Sequence, residues 1–153
     1  MSTRANILIK DGNDKQWFYR HSDGYPSSTA ENLKIFIGWL KDGLIRRNVG
    51  QGSSWLIILG NNGTNDMISS MRKEGSKSAS HKNFGGGKHP YKGSGGWKVG
   101  SYEITTEQHG DIEYLYTIDM KKKTVKIQHL SWGSKTSRKT YSYEEFLKED
   151  FSE

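Results

Sequence analysis

Cysteine is absent from the 153 residues, which removes disulfide frameworks, thiolate zinc sites, iron–sulfur clusters and cysteine nucleophiles from consideration. Long apolar runs are absent too. No stretch approaches the roughly 20 apolar residues of a membrane-spanning helix. The apolar run inside the opening MSTRANILIKDGNDK is too short and too soon interrupted for a signal peptide. The expected compartment is therefore the cytoplasm. Apolar residues make up only 32% of the chain while aromatics reach 12%, so the expected core is small and rich in rings. A chain of this length suits one domain and can bury a core without a disulfide or a structural metal.

What is present in excess is positive charge, and it is concentrated. Lys and Arg number 23 against 17 Asp and Glu, a net charge of +6. Between Arg72 and Lys98 seven basic residues face only Glu74, so this window carries the whole +6 and the remainder sums to zero. The same window holds seven glycines and four serines and has no apolar periodicity. The expectation is a single domain, 1–153, with a flexible basic insertion at about 72–98. Such an insertion is either a solvated connector or an arm that closes over an anionic partner. In the second reading glycines let the backbone approach phosphate, and Lys82, Lys88 and Lys92 supply sequence-independent attraction. Phe84, Tyr91 and Trp97, interleaved with the lysines, would stack on bases.

The flanking halves read as a framework. Thr3, Ala5, Ile7 and Ile9 alternate with Arg4, Asn6, Leu8 and Lys10, which predicts a largely buried strand. Asp11-Gly-Asn-Asp14 is turn chemistry, and Lys15–Arg20 returns as the second strand of a hairpin. Ser28-Thr-Ala-Glu31 has the form of a capping box ahead of Leu33, Phe36, Ile37, Leu40 and Leu44, predicting an amphipathic helix from about Thr29 to Leu44. Ser54–Leu59 is wholly apolar apart from its first residue, and its shortness favours a buried strand over a helix. Trp97–Thr106, Asp111–Met120 and Thr124–Leu130 predict three antiparallel strands. Ile112, Tyr114, Tyr116 and Ile118 are expected on one face of the middle strand. Ser142-Tyr-Glu-Glu145 is a second capping box before a short C-terminal helix burying Phe146 and Leu147. The expected fold class is α+β: a mainly antiparallel sheet of five or six strands, with a main amphipathic helix and a short C-terminal helix on one face.

Two tripeptides carry the candidate chemistry, His21-Ser-Asp23 and His109-Gly-Asp111. On a strand, positions i and i+2 share a face, so two such pairs brought together would offer two imidazoles and two carboxylates for acid–base work or a divalent metal. Both tripeptides also suit ordinary turns. No His-x-x-x-His or Glu-x-x-His spacing accompanies them, so no metal is expected, and no cofactor motif is present. His129-Leu-Ser131 is similar to one half of the two-histidine phosphodiesterase signature, whose second half the chain lacks.

One block of motifs has a familiar look. Ser2–Ile7, followed by Phe18-Tyr-Arg-His-Ser-Asp-Gly-Tyr-Pro26 and later by His109-Gly-Asp-Ile-Glu-Tyr114, resembles small uncharacterised proteins of bacteriophages and bacterial mobile elements. The resemblance implies an accessory protein and nominates Arg20, His21, Asp23, Tyr25, His109 and Asp111 as its site. The basic glycine-rich window is not part of that pattern. The expected function is a non-enzymatic binding module for an anionic partner, with Arg20 and the 72–98 window supplying charge and Tyr25 stacking beside the window's aromatics. The competing expectations are a small hydrolase or phosphodiesterase using His21, Asp23, His109 and Asp111, and an interaction protein whose loop serves as a tether.

Overall fold

The computed structural model describes residues 3–21, 23–61, 102–130 and 137–152. The basic window with Lys82, Phe84, Lys88, Tyr91, Lys92 and Trp97 lies outside the described residues. In chain order the described elements are β1 (Ala5–Asp11), β2 (Asp14–Arg20), α1 (Thr29–Lys41), α2 (Val49–Asn61), β3 (Glu103–Thr105), β4 (Tyr114–Asp119), β5 (Thr124–His129), β6 (Ser137–Ser142) and α3 (Tyr143–Lys148). The six strands form one open sheet in the order β3-β2-β1-β4-β5-β6. Every neighbouring pair is antiparallel except the central one, β1 with β4. This is the α+β arrangement that the pattern predicts.

Local chemistry explains most boundaries. Asp11 pairs with Asp14 across a two-residue loop whose first member, Gly12, has φ +63, the glycine-first turn that matches strand twist. Helix α1 stops at Lys41 rather than Leu44 because Gly43 enters the left-handed region (φ +74). The Gly43 amide then bonds the Leu40 carbonyl at 3.3 Å and the Leu44 amide bonds Trp39 at 2.9 Å, the paired Schellman contacts that close a helix. The capping box at Ser142 forms as expected, with Ser142 Oγ accepting from the Glu145 amide and Glu145 Oε1 from the Ser142 amide.

Other expectations are corrected. The box at Ser28 does not form. Ser28 Oγ instead receives Arg20 Nη2 at 3.4 Å, and the Glu31 carboxylate accepts the Phe151 amide at 3.0 Å and pairs with Lys34. The Tyr25 and Pro26 carbonyls take the first helical amides in its place. Ser54–Leu59 is not a strand but part of α2, whose start at Val49 is capped by Asn48 Oδ1 accepting from the Gln51 amide at 2.9 Å. Glycines at 50 and 52 mask that start. Gly52 has a packing reason, since a Cβ there would lie 2.8 Å from Met120 Cε and 3.4 Å from Phe36 Cζ. Of Trp97–Thr106 only Glu103–Thr105 is a strand among the described residues. Ile112 precedes β4 and joins Leu115 rather than Tyr116 and Ile118.

The two faces of the sheet are built differently. Ladder pairing aligns Ile7 with Phe18 and Tyr116, and Val125 with Ile118 and Tyr141. This face packs on Leu33, Phe36, Ile37 and Trp39 of α1, Leu56 and Leu59 of α2, and Phe146 of α3 in one buried cluster. The other face carries no helix among the described residues. Its half nearest the start of β1 is crossed by the 106–113 connection, which seals a small second cluster of Tyr19, Ile112 and Leu115.

Two measurements check this packing. At Gly24 a Cβ would meet Ala5 Cβ at 2.8 Å and the Thr3 carbonyl at 2.9 Å, whereas at Gly38 in α1 it would meet nothing. Gly24→Ala should therefore cost about 1–3 kcal/mol by overpacking, and Gly38→Ala should stabilise by about 0.5–1 kcal/mol, both read by urea denaturation. Burial raises the phenols of Tyr102 and Tyr116 and pushes Tyr143 up to about 12. In the unfolded chain these groups ionise near 10, so above that pH the native state binds more protons than the unfolded one. Stability should be intact below pH 10 and fall as pH rises towards 12, seen as a dropping urea midpoint.

Candidate functional site

The nominated residues gather at the end of the sheet where β2 leaves and β4 enters, and Tyr19 is their organiser. Alternation along β2 places Tyr19 on the helix-free face, opposite Asn6. Its hydroxyl shares a 2.9 Å hydrogen bond with His21 Nδ1, and its ring lies under that of His109 at 4.1 Å between centroids, tilted only 11°. The two histidines thus come together through a residue that the motif search did not single out. Burial, and next the Asp111 carboxylate, hold the Tyr19 phenol above its ordinary range, while the hydrogen-bonded Arg4 guanidinium opposes them.

The aspartates do not follow their histidines. Neither tripeptide lies on a strand, so the shared-face argument from i, i+2 spacing fails. Asp23 has φ +59, its Oδ1 accepts from the Tyr25 hydroxyl at 3.1 Å and its carbonyl accepts from Thr29 Oγ1 at 2.8 Å. Asp111 faces Arg4 Nε at 3.6 Å. His109 Nε2 shares its hydrogen bond with Thr105 Oγ1 at 3.3 Å. A shallow depression of about 520 Å³ lies along Thr105–Asp111, with His109 in its wall.

Arg20 stands apart from this group. It projects to the helix side, is 5% exposed, and donates from Nη1 to the Tyr102 hydroxyl at 2.8 Å with its guanidinium 5.0 Å over that ring. Tyr102 passes the network on to Asn32 Oδ1 at 2.6 Å. Tyr25 is 40% exposed and within reach of solvent. The structure therefore brings His21, His109 and Asp111 together, places Asp23 and Tyr25 on the adjoining loop, and buries Arg20 beneath α1. His129 is on the helix side as well, stacked on Tyr114 at 4.6 Å. Among the described residues no group of three or more His, Asp or Glu is placed to hold a metal ion.

Arg4, Asn6, Tyr19 and Thr105 complete the site and were not nominated by motif. Asn6 carried a signal, because a fully buried amide in the middle of an apolar strand needs partners. Its Nδ2 donates to the Phe18 carbonyl at 2.8 Å and its Oδ1 accepts the His109 amide at 2.8 Å, pinning the crossing connection to β1. Asn6→Leu should cost about 1–3 kcal/mol through the unsatisfied groups it leaves. Exchange of the His109 amide should accelerate by about tenfold or more beyond the loss of global stability, measured by hydrogen-exchange NMR. Unchanged His109 protection would show that the stack alone holds the connection. Comparison of the chain with family models, with curated proteins and with solved structures finds no match in any of the three.

Proposed function

We propose that the chain is a non-enzymatic binding module for an anionic partner: a nucleotide, a nucleic acid or an acidic protein surface. The observation that carries this reading over the enzymatic one is that, among the described residues, neither imidazole is oriented by a carboxylate. His21 bonds the Tyr19 hydroxyl and His109 the Thr105 hydroxyl. A general base is normally oriented by a third group and set against a nucleophile or a leaving group. The hydrolase alternative needs Asp23 and Asp111 at the histidine rings, and both are engaged elsewhere, with Tyr25 and Arg4. The concentration of the net +6 within 72–98 supports the sign of the partner. The resemblance to phage and mobile-element proteins adds a setting, in which such a module sequesters a nucleotide signal or blocks a host defence protein in the host cytoplasm.

A thermal-shift panel of mono-, di- and cyclic nucleotides with single- and double-stranded DNA and RNA tests this reading. A true ligand at a hundred times its dissociation constant stabilises by about 2.7 kcal/mol. For a polyanion, using four of the seven basic groups of the window gives a log–log salt slope of about −3 to −4. Lys82→Ser, Lys88→Ser and Lys92→Ser together should flatten that slope. Turnover of a phosphodiester substrate that vanishes in His21→Ala and His109→Ala variants would replace this reading with the enzymatic one.

A further inference from the structure

Charge along the sheet runs against the placement of the histidines. Among the described residues around them, Glu103, Glu107, Asp111 and Glu113 outnumber Arg4, a poor setting for phosphate. The opposite end is basic. Because β1 and β4 are parallel and aligned Lys10 to Asp119, the β1–β2 turn and the β4–β5 turn leave the sheet side by side. The β4–β5 loop is Met120-Lys121-Lys122-Lys123, with all three lysines exposed. Asp119 Oδ1 accepts the amides of Lys121 and Lys122 at 3.1 and 3.0 Å, and Lys10 Nζ lies 3.9 Å from Oδ2, so the one buried carboxylate here is already committed. Asp11 is likewise taken by a two-pronged contact with Arg47 at 2.8 and 2.9 Å, which holds its carboxyl below the usual range.

Lys123 is the informative residue of the loop. Its φ is +57, a conformation that favours Gly or Asn in a hairpin loop and strains a longer side chain. A third lysine therefore sits where a turn-forming residue would fold better. The same ladders place Lys15, Trp17 and Lys126 on the helix-free face, the two lysines on the side of this loop and Trp17 beside Thr105, where the 106–113 connection begins. Trp17 is half-buried against the small cluster of Tyr19 and Leu115, which fixes its ring while leaving part of it accessible.

We propose that this half of the face binds single-stranded nucleic acid, with Lys15, Lys121, Lys122, Lys123 and Lys126 on phosphates and Trp17 stacked on a base. This rests on the anionic-partner reading and assigns its charge to the end of the sheet opposite the histidines. A fixed aromatic on the same face as Lys15 and Lys126, with the lysine loop beyond them, suits an unpaired base and its backbone. A membrane surface would instead call for exposed apolar side chains at this loop, and Met120 is buried.

The test uses the full chain, a fluorescein-labelled oligonucleotide and fluorescence anisotropy across a salt series. Removing three phosphate contacts from a single strand should reduce the log–log slope by about 2. Lys121→Ser, Lys122→Ser and Lys123→Gly together should show that reduction and lose about tenfold or more in affinity at low salt, with a melting temperature equal to or above that of the parent. Trp17→Leu should weaken binding and reduce the tryptophan quenching that accompanies it. Oligonucleotide binding indifferent to both variants would overturn the surface. Binding of a cyclic nucleotide, an acidic protein or anionic vesicles without binding of the oligonucleotide would overturn the single-strand assignment and leave the anionic-partner reading standing. Failure of every anion would end both.

Discussion

The parallel pairing of β1 with β4 is the constraint from which both ends of the molecule follow. Each of these strands belongs to an antiparallel hairpin, β1 with β2 and β4 with β5, and one parallel join sets the two hairpins side by side in the same sense. Their turns therefore emerge together, which puts Gly12-Asn13 next to the lysine loop. At the other end β2 exits where β4 enters, so His21 and the His109–Asp111 stretch meet, both histidines against Tyr19. A parallel pair cannot be closed by a short turn. The 106–113 connection, which leads into β4, crosses the helix-free face and brings His109 over Tyr19.

Buried polar groups then decide what the crossing connection and the helix side hold. Asn6, wholly buried, spends its donor on β2 and its acceptor on the His109 amide. On the other face Arg20 lies at the start of α1, sharing Tyr102 and Ser28, and Tyr102 binds Asn32 in turn. Removing one member of such a network strands the others in a low-dielectric interior. The YRHSDGYP stretch reads in this light as a folding device as much as a site. Asp23 turns the chain and anchors Thr29, Gly24 lets the loop press on Ala5, and the Tyr25 and Pro26 carbonyls start α1.

The hairpin, the main helix, the middle strands and the C-terminal capping box were legible because period and turn chemistry agree there. The strand expected at Ser54–Leu59 failed for a physical reason. A six-residue apolar run has no period long enough to separate helix from strand, and Gly52, which lets α2 approach Met120, hid its start together with Gly50. The box at Ser28 failed because Arg20, distant in sequence, competes for its hydroxyl, and Phe151, more distant still, competes for Glu31. Partners of that kind are invisible to any local pattern. Of the residues gathered around Tyr19, the sequence nominates His21, His109 and Asp111. Tyr19, Thr105 and Arg4 carry no such mark, since in or beside a strand they look like ordinary members of an alternation, and only the amide of Asn6 among apolar neighbours stands out.

The separation of histidines from lysines bears on what the two ends can do together. Phosphate attraction falls off within a Debye length of about 8 Å at physiological salt, so a backbone held at the lysine loop gains little from Arg4 at the far end of the seven-residue β1. The acidic residues beside His109 would instead repel it and keep a bound strand from sliding across the 106–113 connection. Under the proposal above, the phosphate contacts and the stacking contact would therefore both belong to the lysine half of the face, and the acidic stretch beside His109 would mark where that surface ends.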